Sequence, residues 1–199
     1  MSVVSPKPKR WTVEECNRLQ ETGILEARYE LIDGEIYDKM GQKPAHALFL
    51  LSLMIALEEL FGRRRVRGQS PITLPNPFGQ YSEPEPDVVV TKEDGFAYIQ
   101  HPLPEDIVLL AEVSDTTYHF DVVTKALLYA RAGISEYWVI DVENRKLIVH
   151  QSPTKTGYQT TTAYDEEAQF SLLALPAKQI TVNWLFPPPQ TEATPESNA

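Results

Sequence analysis

The stretch Ile107-Val-Leu-Leu-Ala-Glu-Val113 decides how the rest of the chain is read. Its aliphatic run has the length and composition of a central strand covered on both faces. Glu112 interrupts that run. An acid in so apolar a strand must be paired, face a cleft or bind a cation. A second run, Val88–Thr91, reads as another covered strand, entered through Glu85-Pro86-Asp87. Strand alternation sets Glu85, Asp87 and Val89 on one face, so Asp87 and Glu112 become two strand-borne carboxylates. From Thr117 to Ala132 the spacing is helical, with Gly133 as its stop. Lys125 lies on this helix, four residues after Asp121. Two carboxylates and a lysine are the groups needed to hold a hard divalent cation beside a phosphodiester and activate water there. At 100° per residue, however, Val123, Ala126, Leu127 and Ala130 form the apolar stripe and Lys125 falls opposite. Spacing alone leaves two readings of Lys125 open, a catalytic group and a solvent-facing ion pair with Asp121.

Working outward, Thr12-Val-Glu-Glu15 is a capping box that opens a helix ending near Gly23. Asp33-Gly34 joins Arg28–Ile32 to Glu35–Asp38 as a two-residue hairpin. Apolar spacing predicts a helix from His46 to Phe61, closed by Gly62. A weakly alternating strand is expected over Arg65–Leu74, followed by a proline-rich loop. Glu136–Asp141 and Lys146–His150 read as a second hairpin, and Gly157–Ala163 and Gln179–Phe186 as further strand and short helix. Residues 1–10 and 187–199 have the composition of flexible tails, leaving one domain over 11–186. Helices alternating with short strands predict an α/β fold, a mixed central sheet with helices on both faces.

The formal net charge is −10, the wrong sign for a chain that holds nucleic acid by bulk electrostatics. Such binding would need a bound metal or a local basic patch, and Arg63-Arg64-Arg65 with Arg67 is the one concentrated patch. These arginines are candidates for phosphate contact, set against a solvated helix end. The lone cysteine, Cys16, excludes an intrachain disulfide and suits a reducing compartment. No signal-peptide core is evident, and Ala45–Leu57 reads as too short for a membrane span. A soluble, cytoplasmic protein with no membrane partner is expected. His46 opens a helix, where a histidine is more often a surface residue than a ligand. His101, His119 and His150 lack zinc-ligand spacing. Tyr137-Trp138 reads as core or as the apolar face of a dimer.

Pro86-Asp87 followed by Glu112-Val113-Ser114 resembles the PD-(D/E)XK nuclease superfamily, with the restriction-endonuclease-like fold. Tyr29–Glu35, Pro86–Val90, Asp121–Lys125 and Tyr129–Gly133 with Glu136-Tyr137-Trp138 resemble, more narrowly, a large bacterial branch named for restriction endonucleases. The resemblance runs over residues 12–186. In the superfamily a lysine sits two residues after the second acid, and Ser114 stands there in this chain. In the narrower branch the lysine has migrated to the following helix, which gives Lys125 its role. The resemblance implies Asp87, Glu112 and the Val113 carbonyl as ligands of Mg²⁺, with Mn²⁺ as a substitute. It implies Lys125 as the group that orients or activates water, with Glu30, Asp121, Ser114 and His46 in support. DNA is the implied substrate, with RNA or branched DNA as alternatives, and a homodimer the implied assembly. The rival reading is a binding or assembly module that kept the nuclease fold and lost turnover.

Overall fold

The computed structural model describes residues 7–25, 28–39 and 41–189. Residues 1–6 and 190–199, most of the two expected tails, lie outside the described residues. Its centre is a six-stranded sheet in the order β3(Val66–Gly68), β4(Val88–Thr91), β5(Ile107–Ser114), β6(Glu136–Asp141), β7(Lys146–Thr154), β8(Gly157–Tyr164). Only β5 and β6 pair in parallel, and the chain crosses between them through the helical stretch that carries Lys125. The expected mixed sheet with helices on both faces is therefore what forms.

Alternation along β4 and β5 builds two cores. Val88, Val90, Leu109, Ala111 and Val113 face helix α2(Pro44–Phe61), against Phe49, Leu53 and Leu57. Val89 and Leu110 face the opposite side, with Leu128 and Tyr129 of α3(Ala126–Ala132). Glu112 shares the parity of Leu110, so its side chain belongs on the α3 side. Trp138 and Tyr137 are wholly buried on opposite faces of β6. The suggestion that they form a dimer surface is thus corrected, since their area is consumed inside one protomer. The Trp138 indole N–H is satisfied by Glu136 at 2.8 Å.

The first helix, α1(Val13–Glu21), is capped as expected by Thr12 and Glu15. The hairpin β1(Tyr29–Ile32)–β2(Glu35–Asp38) turns at Asp33 and Gly34, whose φ values of 50° and 85° meet the left-handed requirement of a two-residue turn. The strand expected over Arg65–Leu74 shrinks to Val66–Gly68. Gln69 turns with φ 47°, and the amides of Ile72 and Thr73 bond to Pro84 and Pro102 in loops instead of a ladder. A small hairpin, β9(Gln169–Ser171) with β10(Gln179–Thr181), covers the α2 side. Contrary to the reading of Ala45–Leu57, α2 is long and apolar enough to span a membrane by length and composition, with 33% of it buried in this fold.

Candidate active site

Five elements converge at one end of β4 and β5. β4 ends its ladder at Val88 opposite Ala111, which leaves Asp87 beside Glu112 across the pair. The two residues lock each other through the backbone. The Val113 N–H donates to Asp87 Oδ2 at 2.9 Å, and the Asp87 N–H to Glu112 Oε2 at 3.3 Å. Glu112 Oε1 accepts from Lys125 Nζ at 2.9 Å and from the Tyr129 hydroxyl at 3.0 Å. Lys125 Nζ also lies 2.9 Å from Glu30 Oε2 and 4.0 Å from Asp121 Oδ1. Glu30, delivered by β1, accepts the Glu85 N–H on its other oxygen at 2.8 Å. From the start of α2, His46 Nε2 reaches Asp87 Oδ2 at 3.1 Å.

Lys125 enters this cluster because it shares the helical face of Leu128, Tyr129 and Ala132, all buried, and not because the expected stripe held. Phe120–Lys125 is a π-helical turn, and the Ala126 N–H reaches back to the Asp121 carbonyl, five residues away. Wider turns of this kind recur at functional sites. The extra residue per turn rotates everything before it relative to α3. Val123, expected in the apolar stripe, is 49% exposed, whereas Lys125, expected outside, is 5% exposed. The solvent-facing reading of Lys125 is thereby overturned. The Tyr137 hydroxyl donates to the Asp121 carbonyl at 3.1 Å and Thr117 to the Asp121 carboxylate at 2.6 Å, which pins the turn from both sides.

Glu30, Asp87, Glu112 and Asp121 surround a single lysine and one histidine, so buried negative charge exceeds positive. Burial pushes the Glu112 carboxyl well above its ordinary range; Lys125 opposes this, and Asp87, Asp121 and Glu30 add to it. Burial raises Asp121 as well, against the pull of Lys125. Asp87 goes the other way. Burial would raise it, but the His46 hydrogen bond and charge and the Val113 N–H together hold it below the usual value. Two neighbouring carboxylates are thus pushed apart, an arrangement typical of acid–base sites. Burial works against the charge on Lys125, yet the surrounding carboxylates raise its pKa above normal and keep it an ammonium. Burial likewise opposes protonation of His46, and Asp87 overcomes it, with a net upward shift. The cluster opens to solvent on this side, where the side chains of His46 and Asp87 keep 15% and 14% of their surface.

Asp87, Glu112, Lys125, Glu30, Asp121 and His46 are therefore brought together, and Ser114 is buried beside them, its hydroxyl 3.4 Å from that of Thr117. For His46 the surface reading is corrected, because α2 starts two residues earlier than predicted, at Pro44, and its first turn brings His46 to Asp87. The arginines do not join the cluster. Arg67 pairs across from Val89, and Arg63–Arg65 form a short 3-10 turn toward the far end of β4. Arg65 is spent on the Thr91 carbonyl, Arg67 on Ser70, and Arg64 on Asp94 and the Phe96 ring. Tyr129 was missed by sequence reading. Its place four residues after Lys125 is the signal that both lie on one helical face.

The donor set suits a small, hard cation, which Mg²⁺ sites typically bind with one or two carboxylates and leave the rest to water and phosphate. All hydrogen bonds to Asp87 from described residues fall on Oδ2, so Oδ1 is available. Val113 directs its N–H toward Asp87. The carbonyl of an extended residue leaves by the same strand edge, which puts it among the acceptors there. Among the described residues no group of three or more His, Cys, Asp or Glu side chains is arranged as a metal cage.

This sheet, with its strand-borne acids and helix-borne lysine, defines a restriction-endonuclease-like nuclease fold. The chain belongs to the Uma2 family, described as "Putative restriction endonuclease", whose model matches residues 13–183. It is also similar to a crystal structure from Anabaena variabilis ATCC 29413, described as a "putative nuclease belonging to DUF820". That likeness has a TM-score of 0.62 at 15% identity and covers 84% of this chain and 96% of the other, which speaks to the fold. No curated protein matches the chain significantly.

Proposed function

We propose that this protein is a Mg²⁺-dependent endonuclease that hydrolyses DNA phosphodiester bonds with an activated water. The observation that carries this reading is the division of Glu112. One oxygen is held by Lys125 and Tyr129 and the other faces Asp87 on the neighbouring strand. Asp87, Glu112 and the Val113 carbonyl would hold the cation, which when bound supplies Lewis-acid polarisation of phosphate and an acidified water. Lys125 would act as a fixed positive charge and not as a base, because its carboxylate neighbours keep it protonated. Two of its three N–H bonds go to Glu30 and Glu112, and the third remains for water or a phosphate oxygen. His46 would hold Asp87 Oδ2 and so aim Oδ1 outward.

A second reading is a nuclease-fold binding or assembly module without turnover. It is favoured by the acidic charge of the chain and by arginines already engaged within the protomer. The test is calorimetric titration with Mg²⁺ and Mn²⁺ alongside cleavage of plasmid, single-stranded DNA and RNA by wild type and Glu112→Ala. Metal binding with cleavage that disappears in the variant is expected. Cleavage that survives Glu112→Ala, or no metal binding, refutes the proposal; binding without cleavage selects the second reading.

A further inference from the structure

Helix α2 is apolar nearly all round, and such helices belong in an interior. One face is buried through Phe49, Leu50, Leu53, Ala56 and Leu57. On the opposite face Pro44, Leu48, Leu51, Ile55 and Glu59 are exposed, a stripe stepped by three and four residues that keeps to one side of the helix. Leu48, Leu51 and Ile55 retain 40%, 57% and 50% of their surface, so the largest side chains of the stripe face water together. Contiguous apolar surface of this kind marks an interaction site.

The stripe is self-complementary. Its midpoint is the Leu51–Ser52 step, its N-terminal end carries Lys43, and its C-terminal end carries Glu58 and Glu59. Lys43 is 59% exposed despite its contact with Asp115, and among the described residues neither Glu58 nor Glu59 has an ion-pair partner. A two-fold axis through the midpoint sets two α2 helices antiparallel. Leu48 then packs on Ile55 of the partner subunit, Leu51 lies across the axis, and Lys43 reaches Glu59 of the partner subunit. A closed two-fold contact of identical patches is the commonest form of soluble oligomer.

We infer that the exposed face of α2 is the interface of a homodimer, with a second copy of this chain as its occupant. The inference stands apart from the nuclease reading, since it needs neither metal nor substrate. A helix pair about 27 Å long lies at the small end of specific interfaces, so the dimer forms in the micromolar range. The test is sedimentation of the full chain over about 1 to 100 µM, which brackets that range. Wild type is expected to pass from monomer to dimer, and Leu51→Glu to stay monomeric with an unchanged circular dichroism spectrum, because the site is already in water. Leu51→Cys under oxidation is expected to form a linked dimer, while Thr160→Cys on exposed β8 is not; the native Cys16 is buried and silent. A wild type that is monomeric at the highest concentration overturns the inference, as does a dimer that persists in Leu51→Glu. Binding of the wild-type chain to phosphatidylglycerol–phosphatidylcholine vesicles that is lost in Leu51→Glu assigns the face to a membrane instead and overturns it too.

Discussion

Lys125→Met keeps the aliphatic stem and removes the one ammonium among three buried carboxylates, Glu30, Glu112 and Asp121. Breaking a buried pair by deleting one partner costs about 3 to 5 kcal/mol, since the charge left behind is uncompensated. That is a large part of a typical total stability of about 5 to 15 kcal/mol. With a urea slope of about 2 kcal/mol per molar, the unfolding midpoint should fall by about 2 M. The deficit should shrink on acidification. Glu112 and Asp121 have folded-state pKa values above their unfolded ones. Such carboxyls favour the folded state below the unfolded pKa and lose that advantage as pH rises through the folded one. Adding Glu112→Gln to Lys125→Met should recover at least about 1 kcal/mol, as expected for coupled neighbours. Urea titrations of wild type, Lys125→Met, Glu112→Gln and the double variant at pH 5 and pH 7 measure all of this. A Lys125→Met loss under about 1 kcal/mol, or one that does not vary with pH, would refute the buried-cluster reasoning.

Tyr129→Phe should cost about 1 to 3 kcal/mol, read by denaturant unfolding, because it strips a hydrogen bond from buried Glu112. Val123→Ala should change stability by less than about 1 kcal/mol while Leu128→Ala costs about 2 to 5 kcal/mol, because Val123 is half exposed and Leu128 is buried. Burial lowers the His150 pKa from 6.5 to about 4. A depressed folded-state value means the unfolded chain takes the proton first, so stability present above pH 6.5 is lost as pH falls toward 4, up to about 3 kcal/mol. His150→Gln should flatten that part of the stability–pH curve, and an unchanged curve would show that the imidazole is not held neutral.

Much of this architecture was legible because local signals and tertiary demand agreed. Asp33-Gly34 specifies a turn that few other dipeptides allow, and Thr12 with Glu15 caps its helix as expected. Glu112 stood out because no apolar strand keeps an unexplained acid, and its partners are all found in the cluster. Lys125 was ambiguous for a physical reason. The expected stripe ran through Val123, Ala126, Leu127 and Ala130, whereas the buried face includes Leu128, Tyr129 and Ala132, on whose side 100° per residue places Lys125. His46 was misjudged because a helix start looks like surface until the chain shows what lies beyond it. Val66–Gly68 was overextended since prolines at 71 and 75 do not reveal which loops will capture the neighbouring amides.

The wide turn at Phe120–Lys125 also makes helix phase a variable separate from residue identity. Removing one residue between Thr117 and Lys125 lets the segment close as an ordinary helix without touching the sheet or α3. The residues ahead of the deletion then swing by about 100° about the helix axis. A change of one residue in this stretch therefore re-aims Asp121 and the segment before it, while Lys125 keeps its phase with α3. In sequence comparison the two registers differ by a gap, so a search that demands fixed spacing between acid and lysine passes over folds whose charged groups still meet in space.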